Sequence, residues 1–156
     1  MKKVMTACLF SLLITPVMAE DEVPFEAQIK ARQAHMSLYG FNIGILGAMA
    51  RGNMPYEAEM AQIAANNLKL ANQMDNRAMW PPGSDASAPG LAGVTRAKAE
   101  AWAEGSDIGE KAQAMTTAIT DMAANAGNGL DAVRANMRAL GGACQGCHEG
   151  YRVPED

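Results

Sequence analysis

The residues of this sequence that could do chemistry stand together in the run Cys144-Gln145-Gly146-Cys147-His148. Two cysteines three positions apart share one face of a helix, so both thiols can reach one edge of the same flat molecule. The adjacent imidazole is a good ligand for iron. In an exported chain this pattern is typical of covalent haem attachment. We therefore expect one haem c, with thioether bonds to Cys144 and Cys147 and with His148 as an axial ligand of the iron.

Three other chemistries fit a cysteine pair at this spacing. A thioredoxin-like redox pair sits near the start of a helix that follows a strand, but here the pair lies near the end of an expected helix. A zinc site needs about four ligands, and the exported chain offers two cysteines and two histidines. A disulfide between such close positions would constrain almost nothing. Covalent haem is the interpretation that agrees with both the motif and the compartment.

The first 19 residues have the parts of a secretory signal peptide. A positive start, Met1-Lys2-Lys3, precedes an apolar run over residues 4–18, and Val17-Met18-Ala19 offers small residues to a signal peptidase. A membrane anchor is the alternative, but the run is short for a bilayer and Pro16 interrupts it. We expect residues 1–19 to be removed and residues 20–156 to form one haem domain in the periplasm, with no membrane span.

Composition excludes several classes of function. Removal of the signal leaves 137 of the 156 residues, and the formal charge falls from −4 to −6 because two lysines and no acids are lost. Such an acidic chain has no electrostatic footprint for nucleic acid. The sequence also shows no acid–base pair of the kind that a peroxidase-like site uses. We therefore expect a carrier or a gas-binding protein and not an enzyme.

The apolar spacing predicts four helices and no strands, which indicates an all-α, antiparallel four-helix bundle. The expected helices cover about 24–50, 55–74, 95–126 and 130–151, and the Pro/Gly/Ser-rich stretch 80–95 is the one long connection. The expected inner stripe of the first helix is Phe25, Ile29, Arg32, Met36, Tyr39, Ile43, Leu46 and Ala50. That of the second helix is Met60, Ile63, Asn67, Leu70 and Met74. That of the fourth helix is Leu130, Val133, Met137, Leu140, Cys144, Cys147 and Tyr151.

Four motifs, spread over nearly the whole exported chain, carry a resemblance. They are Arg32-Gln33-x-x-Met36, Pro81-Pro82-Gly83-Ser84, Lys98-x-x-x-Trp102 and Cys144-x-x-Cys147-His148-x-x-Tyr151-Arg152. Through them the sequence resembles the class II cytochromes c, the cytochrome c′ family. The resemblance implies a four-helix bundle that is often a homodimer, with a histidine below the haem iron and a crowded apolar face above it. Many members bind nitric oxide or carbon monoxide, whereas low-spin relatives use a first-helix methionine as sixth ligand.

The resemblance also assigns roles to residues of the first helix. Met36 matches the position above the iron, where it acts as a steric gate or as a sixth ligand, and simple core filling is the alternative. We favour the gate. Arg32 and Gln33 match residues near the haem propionates, and a bidentate contact with a carboxylate would satisfy the arginine. The alternative for Arg32 is a side chain that extends to solvent near the helix start.

Four further residues are candidates on weaker grounds. Arg152 matches the family's arginine beside the proximal imidazole, although a cation near a helix C-terminus is also favourable there. Ser84 and Asp85 belong to the long loop and are expected at the haem edge. His35 is expected to be a partly exposed surface histidine and not a ligand.

Two functions remain open from the sequence. One is a periplasmic electron carrier that exchanges electrons with unknown redox partners. The other is a protein that binds nitric oxide or carbon monoxide at an open iron position. Bonding between the Met36 sulfur and the iron would favour a pure, low-spin electron carrier, and an open position would favour gas binding.

Overall fold

The computed structural model describes residues 23–155, so the expected signal peptide lies outside the described residues. Four helices dominate that part of the chain, namely α1 (Glu26–Arg51), α2 (Ala58–Asn72), α3 (Ile108–Asn125) and α4 (Leu130–Tyr151). Each helix packs on the next, and α1 also packs on α4, which closes the bundle. No helix within the described part is both long and apolar enough to cross a membrane. The predicted all-α four-helix bundle is confirmed.

Helix α1 buries a face that is rotated from the expected stripe. The buried residues are Ile29, Arg32, His35, Tyr39, Asn42, Leu46, Gly47 and Met49. Two expected members of the stripe, Phe25 and Met36, are instead 39% and 40% exposed. The apolar spacing could not anticipate this rotation because the buried face includes His35 and Asn42. These two polar side chains hydrogen-bond to α2, which makes their burial possible.

The expected inner stripe of α2 is wrong. This helix buries Ala61, Ala64, Ala65 and Leu68. The apolar members of the expected stripe are exposed, from 40% at Met60 to 66% at Leu70. The distance between two packed helices depends on the side chains at the contact, and alanine allows a close approach. The larger apolar side chains of α2 are left on the outer surface.

Helix α3 begins at Ile108 and not at Thr95, where the sequence predicted its start. Residues 99–102 form only a short 3-10 turn. Gly105 then has a φ of 79°, a left-handed conformation that interrupts any continuous helix and that glycine adopts at little cost. The long connection between α2 and α3 therefore covers residues 73–107, which we call the connecting loop.

Helix α4 follows its prediction. It starts directly after Gly129, whose φ of 118° strongly favours glycine. Val133 and Leu140 are fully buried in the core. Cys144 and Cys147 are half-buried.

The connecting loop is fastened to the C-terminal end of α4. The Lys98 amide donates to the Tyr151 carbonyl over 3.0 Å, and the Val153 amide donates to the Arg96 carbonyl over 2.8 Å. These backbone hydrogen bonds join a segment before α3 to the residues that end α4. The fold thus places part of the loop beside the Cys-x-x-Cys-His run.

Replacement of Leu68 by alanine tests the corrected face of α2. Leu68 is fully buried, so the change leaves a cavity and should lower the free energy of unfolding by about 2–5 kcal/mol. Leu70→Ala is the matched control because Leu70 is 66% exposed on the same helix. Both variants are measured by denaturant titration at nanomolar concentration, so that single subunits are compared. Under these conditions the free energy of unfolding of the control should fall by about 0.5 kcal/mol or less. Equal losses in the two variants would contradict this assignment of the faces.

Candidate haem site

The last turns of α4 carry Cys144, Cys147 and His148. Burial raises the pKa of the Cys144 thiol, and the neighbouring Cys147 raises it further. Burial also raises the pKa of the Cys147 thiol. Both thiols are therefore protonated at neutral pH, whereas a thioredoxin-like pair needs a thiol with a lowered pKa.

The imidazole of His148 is held in its neutral form. Partial burial lowers the pKa of His148, and the positive charges of Arg152 and Arg96 lower it further. Neutral imidazole is the form of histidine that binds a metal. One end of α4 thus presents two uncharged thiols and a neutral imidazole over five consecutive positions, and this set of groups fits a haem c.

Cys144 lies where three helices meet. Its sulfur is 3.9 Å from the Met115 sulfur on α3. On α1, burial raises the pKa of Tyr39 to about 12, and the nearby Cys144 contributes to this shift. The Tyr39 hydroxyl donates weakly to the Asn72 side-chain oxygen over 3.4 Å, and Asn72 donates to the Thr116 hydroxyl over 3.1 Å. These contacts connect α1, α2 and α3 next to Cys144.

Cys147 lies near the start of α3. Lys111 and Asp107 act on the Cys147 thiol through their charges. The Tyr151 hydroxyl donates to the Asp107 carboxylate, and the Ser106 hydroxyl donates to the Tyr151 oxygen over 3.0 Å. These hydrogen bonds fix the end of α4 against the beginning of α3.

Arg32 is buried, with 3% of its surface exposed, so the alternative of a solvent-directed side chain is wrong. Its guanidinium donates to the Ser84 hydroxyl over 2.6 Å, to the Ser84 carbonyl and to the Thr95 hydroxyl over 2.5 Å. It also lies 5.0 Å from the Trp80 ring centroid and 5.9 Å from that of Trp102. The sequence pattern gave no sign that Thr95 takes part in this contact.

The guanidinium of Arg32 is a buried charge whose three hydrogen bonds reach uncharged oxygens. Burial lowers the pKa of Arg32, and the negative charge of Asp85 partly opposes this effect. Burial of a charge costs free energy unless an opposite charge compensates it. Asp85 supplies part of that compensation, and a carboxylate of a bound molecule would add to it.

The other loop candidates lie around Arg32. The Gln33 side chain donates to the Val94 carbonyl over 2.9 Å, which ties α1 to the connecting loop. Ser84 is fully buried. Asp85 is 7% exposed and accepts hydrogen bonds from the Ser87 amide and hydroxyl. The hydroxyl of Ser87 holds the pKa of Asp85 below its usual value. The structure therefore brings Arg32 into contact with Ser84 and close to the charge of Asp85, whereas Gln33 contacts the loop at Val94.

Met36 is exposed on α1 and lies one helical turn from both Arg32 and Gly40. It is 40% exposed, although the expected stripe placed it in the core. A Cβ atom at Gly40 would meet nothing within 4 Å. The side chain of Met36 is therefore free to contact a bound molecule, and Gly40 leaves space beside it.

His35 is buried, so the expectation of a surface histidine is wrong. Only 3% of its surface is exposed. Its Nε2 donates to the Ala71 carbonyl over 2.9 Å, and its ring lies 4.8 Å from that of Tyr39. Within residues 23–155, no group of three or more His, Cys, Asp or Glu side chains could hold a metal ion. The zinc alternative thus has no assembled ligand set in this part of the chain.

Arg152 follows α4 directly. Its amide donates to the His148 carbonyl over 3.0 Å, and its guanidinium donates to Glu155 over 2.8 Å. The Arg96 guanidinium binds the same carboxylate. The sequence motifs pointed to Arg152 but not to Arg96 or Glu155, because neither residue belongs to a motif and Arg96 lies 59 positions before Glu155.

Comparison with known proteins decides the family. The sequence model of the family described as Cytochrome C′ matches residues 27–152. The chain belongs to the cytochrome c′ family. It is similar to cytochrome c-554 of Cereibacter sphaeroides, with 37% identity over 146 residues, which cover 94% of each chain. It is also similar to cytochrome c′ of that organism, with 33% identity over 98% of this chain and 99% of the other. Membership makes this chain a haem protein.

Solved structures of cytochromes c′ share its fold. A cytochrome c′ from Rhodobacter sphaeroides superposes with a TM-score of 0.79 at 32% identity and covers 84% of this chain and 98% of its own. Another, described by its ligand-controlled dimer dissociation, has a TM-score of 0.74 at 29% identity and covers 85% and 99%. A carbon monoxide-bound variant from Alcaligenes xylosoxidans has a TM-score of 0.70 at 26% identity and covers 83% and 97%.

Proposed function

We propose that this chain is a periplasmic c-type cytochrome that carries one haem c on Cys144 and Cys147, with His148 as the axial iron ligand. The observation that carries the proposal is the end of α4, where two half-buried thiols and an imidazole lie together on the final turns of one helix, with pKa values shifted toward the uncharged forms. The haem supplies a redox-active iron that can also bind a diatomic gas. The protein acts as an electron carrier, a gas-binding protein or both, and not as an enzyme.

The buried charge of Arg32 supports the position of the haem propionates. A propionate near Arg32 would compensate a cation whose hydrogen bonds reach neutral oxygens. Gln33, one residue on, keeps its amide beside the loop at Val94. Ser84 and Asp85 complete this region at the haem edge. Met36 covers the distal face, and Arg152 borders the proximal side.

Export belongs to the same proposal. Cleavage after Ala19 would release residues 20–156 as the haem domain. Thioether attachment in the periplasm requires free, reduced cysteines, and the two cysteines among the described residues are free.

The intact mass of the exported protein tests covalent attachment. A chain that begins at Glu20 and carries one haem is expected, and the haem should survive extraction with acidified acetone. Cys144→Ser or Cys147→Ser should weaken or abolish attachment, whereas Ala143→Ser introduces the same residue next to the motif and should leave it intact. His148→Ala should remove the strong axial ligand but permit thioethers. An apoprotein mass from cells with a working maturation system would overturn the proposal.

The distal face decides between the two modes of action. Met36 is exposed on α1 and Gly40 leaves open space one turn later, an arrangement that suits a bulky side chain which a small ligand can displace. We therefore propose that Met36 is a steric gate and that nitric oxide and carbon monoxide bind slowly beneath it. The alternative is a methionine bonded to the iron in a low-spin electron carrier.

Replacement of Met36 by alanine separates these alternatives. For a gate, the ferrous protein should be high-spin, and Met36→Ala should speed carbon monoxide binding on the order of tenfold, equivalent to about 1.4 kcal/mol of barrier. For a ligand, the same change should turn a low-spin spectrum high-spin and lower the reduction potential. Met54→Ala, outside the distal face, is the control and should do neither. A sulfur-to-iron charge-transfer band in the oxidised wild type would refute the gate.

A homodimer through α1 and α2 is the third part of the proposal. The outer surface of these helices carries exposed apolar side chains, namely Leu38, Phe41, Met60, Ile63, Leu70 and Met74. Asn67 donates to Asn42 over 3.2 Å, which joins the two helices beneath that surface. Exposed apolar patches of this kind mark interaction sites. A second copy would cover the patch through an isologous interface.

Introduction of a charge at the centre of this patch tests the dimer. Phe41 is 67% exposed, and Phe41→Asp should weaken dimerisation at least about tenfold because large aromatic residues dominate interfaces. Ala114→Asp on α3 adds the same charge elsewhere and should not weaken it. Sedimentation over nanomolar to micromolar concentration measures both. A wild-type protein that stays monomeric throughout would exclude the dimer.

A further inference from the structure

Helix α1 has two faces that could point into the bundle. The apolar spacing favours the face that carries Met36 and Ile43, whereas the structure buries the face that carries His35 and Asn42. Consecutive residues of a helix project about 100° apart, so the two faces differ by a rotation of α1 about its own axis. The contacts of Arg32 with the connecting loop do not select between the faces, because Arg32 belongs to both of them.

One hydrogen bond supports the buried position of His35. Its Nε2 donates to the Ala71 carbonyl over 2.9 Å, whereas its Nδ1 is buried and has no hydrogen-bond partner among the described residues. Burial of an unpartnered polar atom costs free energy, and burial of an apolar side chain such as that of Met36 is favourable. The hydrogen bond to Ala71 therefore opposes a preference of the apolar side chains for the other face.

A second hydrogen bond holds the same face of α1. Asn67 on α2 donates to the Asn42 side-chain oxygen over 3.2 Å. Asn42 lies two helical turns after His35, and Asn67 lies one turn before Ala71, so the two contacts run in opposite directions along antiparallel helices. The bond at Asn42 fixes the later part of α1, and the bond at His35 fixes the turn that carries Met36.

The face held by His35 leads to the cysteine end of the candidate site. The rings of His35 and Tyr39, one turn apart, have centroids separated by 4.8 Å. Tyr39 in turn lies near Cys144, which contributes after burial to the raised pKa of this tyrosine. With His35 and Tyr39 buried, Met36 stays outside the packed core and is 40% exposed, so a bound molecule can contact it.

We infer that His35 is a positioning residue whose hydrogen bond to Ala71 holds α1 in the rotation that directs Met36 to the distal side of the haem. The inference rests on the proposed haem function and on the gate assigned to Met36. Without that hydrogen bond, the turn around Met36 rotates toward α2, and Met36 takes the place of His35 beside Ala71. Ser37 then follows Met36 toward the distal side, and its smaller side chain obstructs a ligand less.

The position of Met36 is measured by NMR in the haem-loaded ferrous protein with carbon monoxide bound, which is diamagnetic. The nuclear Overhauser effect between the methyl groups of Met36 and Ala71 should be much stronger in His35→Ala than in the wild type. It should stay at the wild-type level in His35→Gln, which keeps a side-chain N–H donor, and in Gln62→Ala. Gln62 is the matched control because it donates to the Ala123 carbonyl over 2.8 Å and so joins α2 to α3. An unchanged effect in His35→Ala, or an equal increase in His35→Gln, would overturn the inference.

The rate of carbon monoxide binding measures the effect on the gate. His35→Ala should speed binding at least about threefold, because displacement of Met36 lowers the barrier, whereas His35→Gln and Gln62→Ala should stay within about 1.5-fold of the wild type. In a Met36→Ala background, His35→Ala should change the rate by less than about 1.5-fold, since the two residues act through one contact. Equal effects in both backgrounds would show that His35 does not act through Met36. Absence of covalent haem by mass would instead refute the proposed function, and the contact between Met36 and Ala71, which needs no haem, would still test the role of His35.

Discussion

A guanidinium buried among neutral oxygens determines how the long connection between α2 and α3 is placed. Arg32 reaches from α1 into the loop and binds both the hydroxyl and the carbonyl of Ser84. Because hydrogen bonds to charged groups are worth more than neutral ones, about 1.5–3 kcal/mol each, the loop has one strongly preferred position. That position brings its later part to the end of α4, where Lys98 pairs with Tyr151. The candidate haem site therefore depends on a contact made far from its cysteines.

The small side chains on the buried face of α2 affect where the larger apolar side chains of this helix lie. Ala61, Ala64 and Ala65 form most of the buried face of α2, and alanine at a helix contact allows a close approach. The larger apolar residues of α2 are then exposed on the outside, beside Leu38 and Phe41 of α1. The same distribution of residues thus explains both the alanine-lined buried face of α2 and the apolar outer surface of α1 and α2.

Much of this architecture could be predicted from sequence, because it is encoded locally. The stripe of α4, the turn at Gly129 and the Cys-x-x-Cys-His run are all read from neighbouring residues. The buried face of α2 was predicted wrongly because residue size alone did not reveal that alanine, and not methionine, lines the contact. The burial of His35 was missed for a different reason. Its hydrogen-bond partner is the backbone carbonyl of Ala71. Because every residue has such a carbonyl, the sequence does not indicate which one will accept the hydrogen bond.

The residues of the candidate site also fall into those that the sequence predicted and those that it did not. Arg32, Ser84 and Arg152 were found because motifs placed them, whereas Thr95, Arg96 and Glu155 were not. Thr95 contacts Arg32, and Arg96 contacts Glu155, between segments that lie far apart in sequence. Only the folding of the connecting loop brings such segments together, and the apolar spacing of the sequence does not predict how this loop folds.

The pairing of the connecting loop with the residues after α4 has a consequence for the order of assembly. The Lys98 amide meets a carbonyl 53 positions later in the chain, at Tyr151, so this part of the loop can dock only when α4 has been made and placed. Contacts between distant segments form late, since the entropy of closing the intervening chain must be overcome first. The end of α4 is therefore completed late in folding, by a segment that precedes α3 in the chain.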